Sequence, residues 1–170
     1  MVTATAAYLD LVAQPVRELR RAMLRGDCPA LADLTGLEHR GTNIPAVSRL
    51  LGIRRFIKGF EPAEDGAVVG YNRRVDGGDL STPWTATTWR GKERFGYFTV
   101  TAVDPAAREN RHLNGLLLDY GSGLNSPRDP TAALRDYLVR TSSGVLLGHA
   151  FLALGRQRIP VGYFVLEPLC

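Results

Sequence analysis

Residues 145–167 read "VLLGHAFLALGRQRIPVGYFVLE". Two apolar runs of strand length, rich in Val, Leu, Phe and Tyr, are parted by the short polar divider "GRQRIP". So short a connection makes the two strands antiparallel neighbours. The first run is apolar on both parities, so both of its faces need cover. One face suits the inside of a barrel or sandwich, and the other suits a helix or a partner subunit. Upstream, "LRDYLVRT" (134–141), "HLNGLLLDY" (112–120), "RFGYFTVTAV" (94–103), "AVVGYNRRV" (67–75) and "IRRFIKGF" (53–60) repeat the pattern. They are divided by "GSGLNSPRDP", "VDPAAREN", "DGGDLSTP" and "EPAEDG". A helical pattern between strands is absent except at 129–137, "DPTAALRDY", which could make two turns or a strand. Strands following one another without crossover helices predict an antiparallel sheet rather than a doubly wound parallel one. Gly59, Gly70, Gly96, Gly115, Gly148 and Gly162 fall nearly one to a strand. Glycines so placed relieve strain at corners and bulges, which favours a small curved barrel of seven to nine strands.

The first 25 residues carry the clearest helical pattern. Tyr8, Leu11, Val12, Val16, Leu19 and Met23 recur at helical spacing, with Arg17, Arg20, Arg21 and Arg25 on the opposite side. Pro15 should kink or divide this helix and Gly26 should end it. The arginines read as a solvated face, with phosphate binding as the alternative. A second short helix is expected at 46–51, entered through Pro45 and left at Gly52. One domain over 1–170 is expected, with the helix at 4–25 and the barrel at 34–168.

A chain of 170 residues can bury a core of ordinary size, and 45% hydrophobic with 22% charged residues is a globular composition. No apolar run reaches membrane-spanning length, and the first fifteen residues lack a basic region before their apolar stretch. Cys28 and Cys170 make neither a disulfide framework nor a metal pattern, which suits a cytoplasmic protein. The net charge of +4 is carried almost wholly by arginine, since Lys58 and Lys92 are the only lysines. A GC-rich genome explains that as readily as an anionic partner does.

Between helix and strands lies "LEHRGTNIP" (37–45). The path "DLTGLEHRGTNIP" followed by "LLGIRRFIKGF", together with the closing run from 146, resembles lipocalin-like (calycin-type) barrels. It is most similar to the small cytosolic proteins named for a G-x-W-x-G opening. Gly41 matches that opening, His39 stands at the tryptophan and Leu37 at the first glycine. The resemblance implies an antiparallel barrel around an apolar pocket, a container for lipids, pigments, haem or polyketide-like molecules, or a cofactor-free cyclase or isomerase. In this reading Gly41 lets the chain bend, and Asn43 tolerates an unusual turn as the barrel begins.

Nucleotide loops, a G-x-S-x-G elbow and metal-ligand spacing are absent, so neither a metal nor a cofactor is expected. Candidate residues come from placement. His149 lies in the most apolar segment and could act as a general acid or base, or bond a neighbouring strand. Asp119 ends an apolar strand beside Tyr120 and could be a base, or could cap the turn and pair with an arginine. Arg135 and Asp136 face opposite sides, so one of them looks inward. Lys58 or Arg54, if inward, would anchor a carboxylate or enolate. Tyr71 or Tyr97 would orient the ligand, and "RFGYFTVTAV" puts Phe95, Tyr97, Thr99 and Thr101 on one mixed face. His39, Asn43 and Asn72 join as ligand contacts, and Trp84 and Trp89 could lid the pocket or pack over a barrel end.

These residues predict a barrel that binds a hydrophobic small molecule with a carbonyl or acidic group. The alternative is cofactor-free cyclisation or isomerisation by proton transfer. A basic nucleic-acid adaptor is a third reading, disfavoured by the few aromatics, and a homodimerisation module is a fourth.

Overall fold

The computed structural model describes residues 3–44 and 52–169. The helix expected at 46–51 lies outside them. Among the described residues, helices α1 (Ala6–Val12) and α2 (Val16–Arg25) precede nine strands. These are β1 (Glu38–Asn43), β2 (Arg55–Pro62), β3 (Val68–Val75), β4 (Ala86–Thr87), β5 (Phe95–Ala102), β6 (Leu116–Asp119), β7 (Leu134–Arg140), β8 (Leu146–Leu154) and β9 (Gln157–Pro168). The sheet runs β2-β1-β9-β8-β7-β6-β5-β3 and closes through β2–β3, every pairing being antiparallel. Eight strands thus form a closed lipocalin-like up-and-down barrel, and β4 adds a two-residue extension to β3. None of the described helices is long and apolar enough to cross a membrane.

All seven expected strands are present. Residues 129–137 divide, with a 3₁₀ turn at Pro130–Ala133 followed by strand. The stretch "LEHRGTNIP" is itself mostly strand, β1, and it closes the barrel between β2 and β9. Gly41 does not bend it. A side chain there would run into the Phe56 ring and Leu166, so glycine serves close packing. Asn43 makes no turn and pairs in register with Phe164.

Two layers of apolar residues follow from alternation along the strands. Inside, Phe56, Phe60, Phe98, Leu118, Leu138, Phe164 and Leu166 form one cluster, joined at one end by Leu34. Outside, α1 and α2 lay Tyr8, Leu19 and Met23 over Tyr137, Val139, Leu147, Phe151, Tyr163 and Val165. That is the double cover which the apolar parities of β8 and β9 require. Pro15 separates the two helices and stands at the N-terminal boundary of α2. Beyond that break Val16 turns to solvent, while Arg17 and Arg21 pair with Glu18 on the exposed face.

Polar groups fix α1. Thr5 caps it and donates through N–H and Oγ1 to Glu167 on β9, at 3.1 and 2.7 Å. Glu167 lies 3.5 Å from buried Arg40, and the Tyr8 hydroxyl bonds Thr42 Oγ1 at 2.6 Å.

β5 holds one extra residue opposite β3, between Phe98 and Phe95. Gly96 takes φ +55 there, a conformation that costs other residues. The bulge overturns the expected mixed face. Phe95 and Phe98 both turn inward, while Tyr97, Thr99 and Thr101 turn out.

Candidate functional site

The barrel is packed solid at the end where β1 and β6 begin, around Leu34, Phe60, Phe98 and Leu166. At the other end a cavity of about 50 Å³ remains. Its apolar wall is made by Phe56, Phe95, Leu134, Ala150 and Phe164, and Asn43, Ile53, Thr131 and Val161 stand near the strand ends that rim it. Lys58, Asn72, Tyr120 and Asp136 face into it from β2, β3, the end of β6 and β7.

These four side chains form one network. Lys58 Nζ donates to the Tyr120 hydroxyl at 2.6 Å, and that hydroxyl donates to Asp136 Oδ2 at 2.9 Å. Nζ itself lies 3.7 Å from Asp136 Oδ2, with both side chains almost wholly buried. Asn72 Nδ2 donates to the Gly96 carbonyl at 2.8 Å, tying the network to the bulge, and approaches the Tyr120 oxygen at 3.4 Å. Asp136 Oδ1 is buried with no hydrogen-bond partner among the described residues.

Four rings surround the ammonium. The Phe98, Tyr120, Phe164 and Phe56 centroids lie 4.5, 5.2, 5.2 and 5.6 Å from Nζ, where ring faces stabilise a cation. Burial nevertheless brings the Lys58 pKa down to about 8 against the opposing pull of Asp136. Burial also raises Asp136, opposed by Lys58, and raises the Tyr120 phenol well above its usual value. Burial thus disfavours both charged forms and moves the amine and the carboxyl toward each other's range.

The remaining candidates are placed elsewhere. His39 points inside but at the packed end, edge-on to Phe60 at 5.4 Å, with Nδ1 unpartnered among the described residues. Asn43 lines the cavity and donates to Ile53 O at 2.7 Å. Arg54 precedes β2 and is exposed. Tyr71 faces outward, donating to Glu38 at 2.9 Å, and Tyr97 is exposed. Trp84 packs outside the barrel with the Arg55 guanidinium 4.0 Å from its ring centre, while Trp89 stacks near Phe95 at 4.5 Å. Asp119 sits 2.9 Å from Arg135 and caps the Gly121 N–H. His149 is on the outer face, bonded to His112 at 2.8 Å and stacked on Tyr163. The structure thus brings Lys58, Asn72 and Asn43 to one cavity and leaves Asp119 and His149 on the other side of the wall.

Comparison with protein-family descriptions, curated proteins and solved structures yields no match. The chemistry of this lipocalin-like barrel is therefore carried by its own residues. Two of them are not assigned by the sequence alone: Tyr120 takes no role there, and which of Arg135 and Asp136 looks inward stays open. Their signal was present. Tyr120 shares the parity of Leu116 and Leu118, and Asp136 that of Leu134 and Leu138. A carboxylate on the buried parity of an apolar strand needs a partner inside.

Among the described residues no group of three or more His, Cys, Asp or Glu could hold a metal. A wider hollow lies outside the barrel between α2 and the β8–β9 hairpin, with Arg20, Arg111 and Arg158 around the His112–His149 pair.

Proposed function

We propose that the barrel binds a small or slender molecule bearing a carbonyl group, its oxygen turned to Lys58. What carries this reading is a buried ammonium at the inner end of an apolar cavity, held by Tyr120 and Asp136 and still able to donate a proton. Cavity size sets the ligand class. The hollow, about 50 Å³, has room for a few small groups and opens between the strand ends. Drug-sized ligands occupy pockets several times larger, so haem, pigments and polyketides do not fit the resting barrel. A head of a few heavy atoms fits, and a longer tail would leave between Ile53 and Val161. Carbonyl oxygen suits the spare donors of Lys58, and a neighbouring hydroxyl would suit Asp136 Oδ1.

Titration with butyramide, followed by protein NMR, tests the reading. Shifts confined to Asn72, Lys58, Ala150 and Phe164, weakened about ten-fold or more in Lys58→Met, are the expected result. Equal binding of a hydrocarbon of the same shape would remove the carbonyl from the account.

The unpartnered Oδ1 favours a second reading, cofactor-free proton transfer. Lys58 would polarise the carbonyl while Asp136 takes a proton from the adjacent carbon, giving an enol that is reprotonated elsewhere. Deuterium uptake from D₂O into the α-position of butanone, abolished in Asp136→Asn, is its signature. Uptake no faster than in buffer removes it.

A further inference from the structure

We propose that Lys58 captures the carbonyl covalently, condensing with an aldehyde to form an iminium inside the barrel. The inference rests on the carbonyl-binding reading and adds to it the bond that forms. Three features carry it. The amine is reached from the cavity alone, since Lys58 is 1% exposed and lines that cavity. The cation it would become is already provided for, by Asp136 at 3.7 Å and by four aromatic rings. An iminium carries the same single positive charge as the ammonium it replaces, so the cluster keeps its balance. Finally, Asp136 presents a second oxygen, Oδ1, buried and unpartnered among the described residues, which can hold a proton in transit.

The steps balance without a further reagent. Lys58 passes one proton through the Tyr120 hydroxyl to Asp136, and the neutral amine attacks the aldehyde carbon while its second proton moves to the oxygen, giving a carbinolamine. Asp136 returns its proton to the carbinolamine hydroxyl, the C–O bond breaks, and water leaves as the C=N bond forms. The sum is aldehyde plus ammonium giving iminium plus water, with Asp136 unchanged. Tyr120, bonded to both partners, positions the amine and hands the proton on, giving its own to Asp136 as it takes one from Nζ, so that it ends unchanged. Short aldehydes of a few carbons are the class that fits, because the carbinolamine also needs room.

The chain has two lysines, which makes the test clean. The full-length protein is incubated at neutral pH with butanal and cyanoborohydride, which reduces an imine to a stable secondary amine, and is then mapped by peptide mass spectrometry. One butyl group on Lys58, arriving at least about ten-fold faster than on exposed Lys92, is expected. Asp136→Asn slows that labelling and shifts its pH profile while Lys92 labelling stays constant; labelling at the parent rate would remove Asp136 from the proton path. Should Lys58→Met fail to fold, competition by unreactive butyramide in the native protein replaces it and should protect Lys58 alone. Labelling of Lys92 and the terminal amine with Lys58 untouched overturns the covalent step. If butyramide nevertheless binds in the cavity, the carbonyl-binding reading survives that failure; if it does not, both fall.

Discussion

At the scale of single residues, the buried charges dominate. Lys58 and Asp136 are both almost fully buried, and a buried pair that loses one member leaves the other charge uncompensated. Lys58→Met is expected to cost about 3–5 kcal/mol in urea unfolding, and the double change Lys58→Met, Asp136→Leu to recover much of it. A double variant as unstable as the single one would show that the cluster is held by something other than this pairing. His39 makes a second residue-scale case. Burial, reinforced by the charge of Lys58, lowers its pKa to about 4. The unfolded chain therefore binds a proton near pH 6.5 that the folded chain refuses until about pH 4. The His39 contribution to stability is full above pH 6.5 and is lost as pH drops through that window, by on the order of 3 kcal/mol. His149, lowered to about 3 by burial and by the facing His112 and Arg20, acts in the same direction. His39→Phe should flatten the acid limb of a melting-temperature profile; an unchanged slope would assign the acid loss to other groups.

At the scale of elements, glycines and aromatics on neighbouring strands fit one another. The Phe98 ring lies where a Gly70 side chain would be, and Phe164 lies over Gly148 in the same way. Gly148→Ala is expected to destabilise the barrel by about 1–3 kcal/mol, read by chemical unfolding, since both partners are locked in the core. The periodicity of the runs from 53 onward made the strands, their antiparallel order and the curvature legible. Which side chains enter the interior was less so. In β5 the bulge at Gly96 reverses the alternation, and period-two reasoning has no means of placing such a reversal from one strand alone. The site was partly legible for the same reason. Lys58 stands between inward Phe56 and Phe60, whereas Asp119 lies one residue off the Leu116–Leu118–Tyr120 parity and so meets Arg135 outside the wall. His149 drew attention through its apolar neighbours, but those neighbours are covered by α2 as well as by the barrel interior.

At the scale of the whole molecule, the interior is divided into a packed end around Phe60 and Leu166 and a small hollow end bordered by Lys58, Tyr120 and Asp136. Ala150 lines the hollow directly across β7–β8 from Asp136, so Ala150→Val should fill the space beside the network and block butyramide binding while lowering the melting temperature by no more than a few degrees. Binding unaffected by that change would place the ligand outside the barrel. The seam between β1 and β9 has another consequence, for the order of folding events. β1 lies between β2 and β9, and Glu167, which anchors Thr5 at the start of α1, also belongs to β9. Contacts so distant along the chain form slowly, because a long loop has to close first. Without residues 157–168 the sheet stays open between β8 and β1, and α1 lacks its Glu167 anchor. One strand both shuts the barrel and seats the first helix.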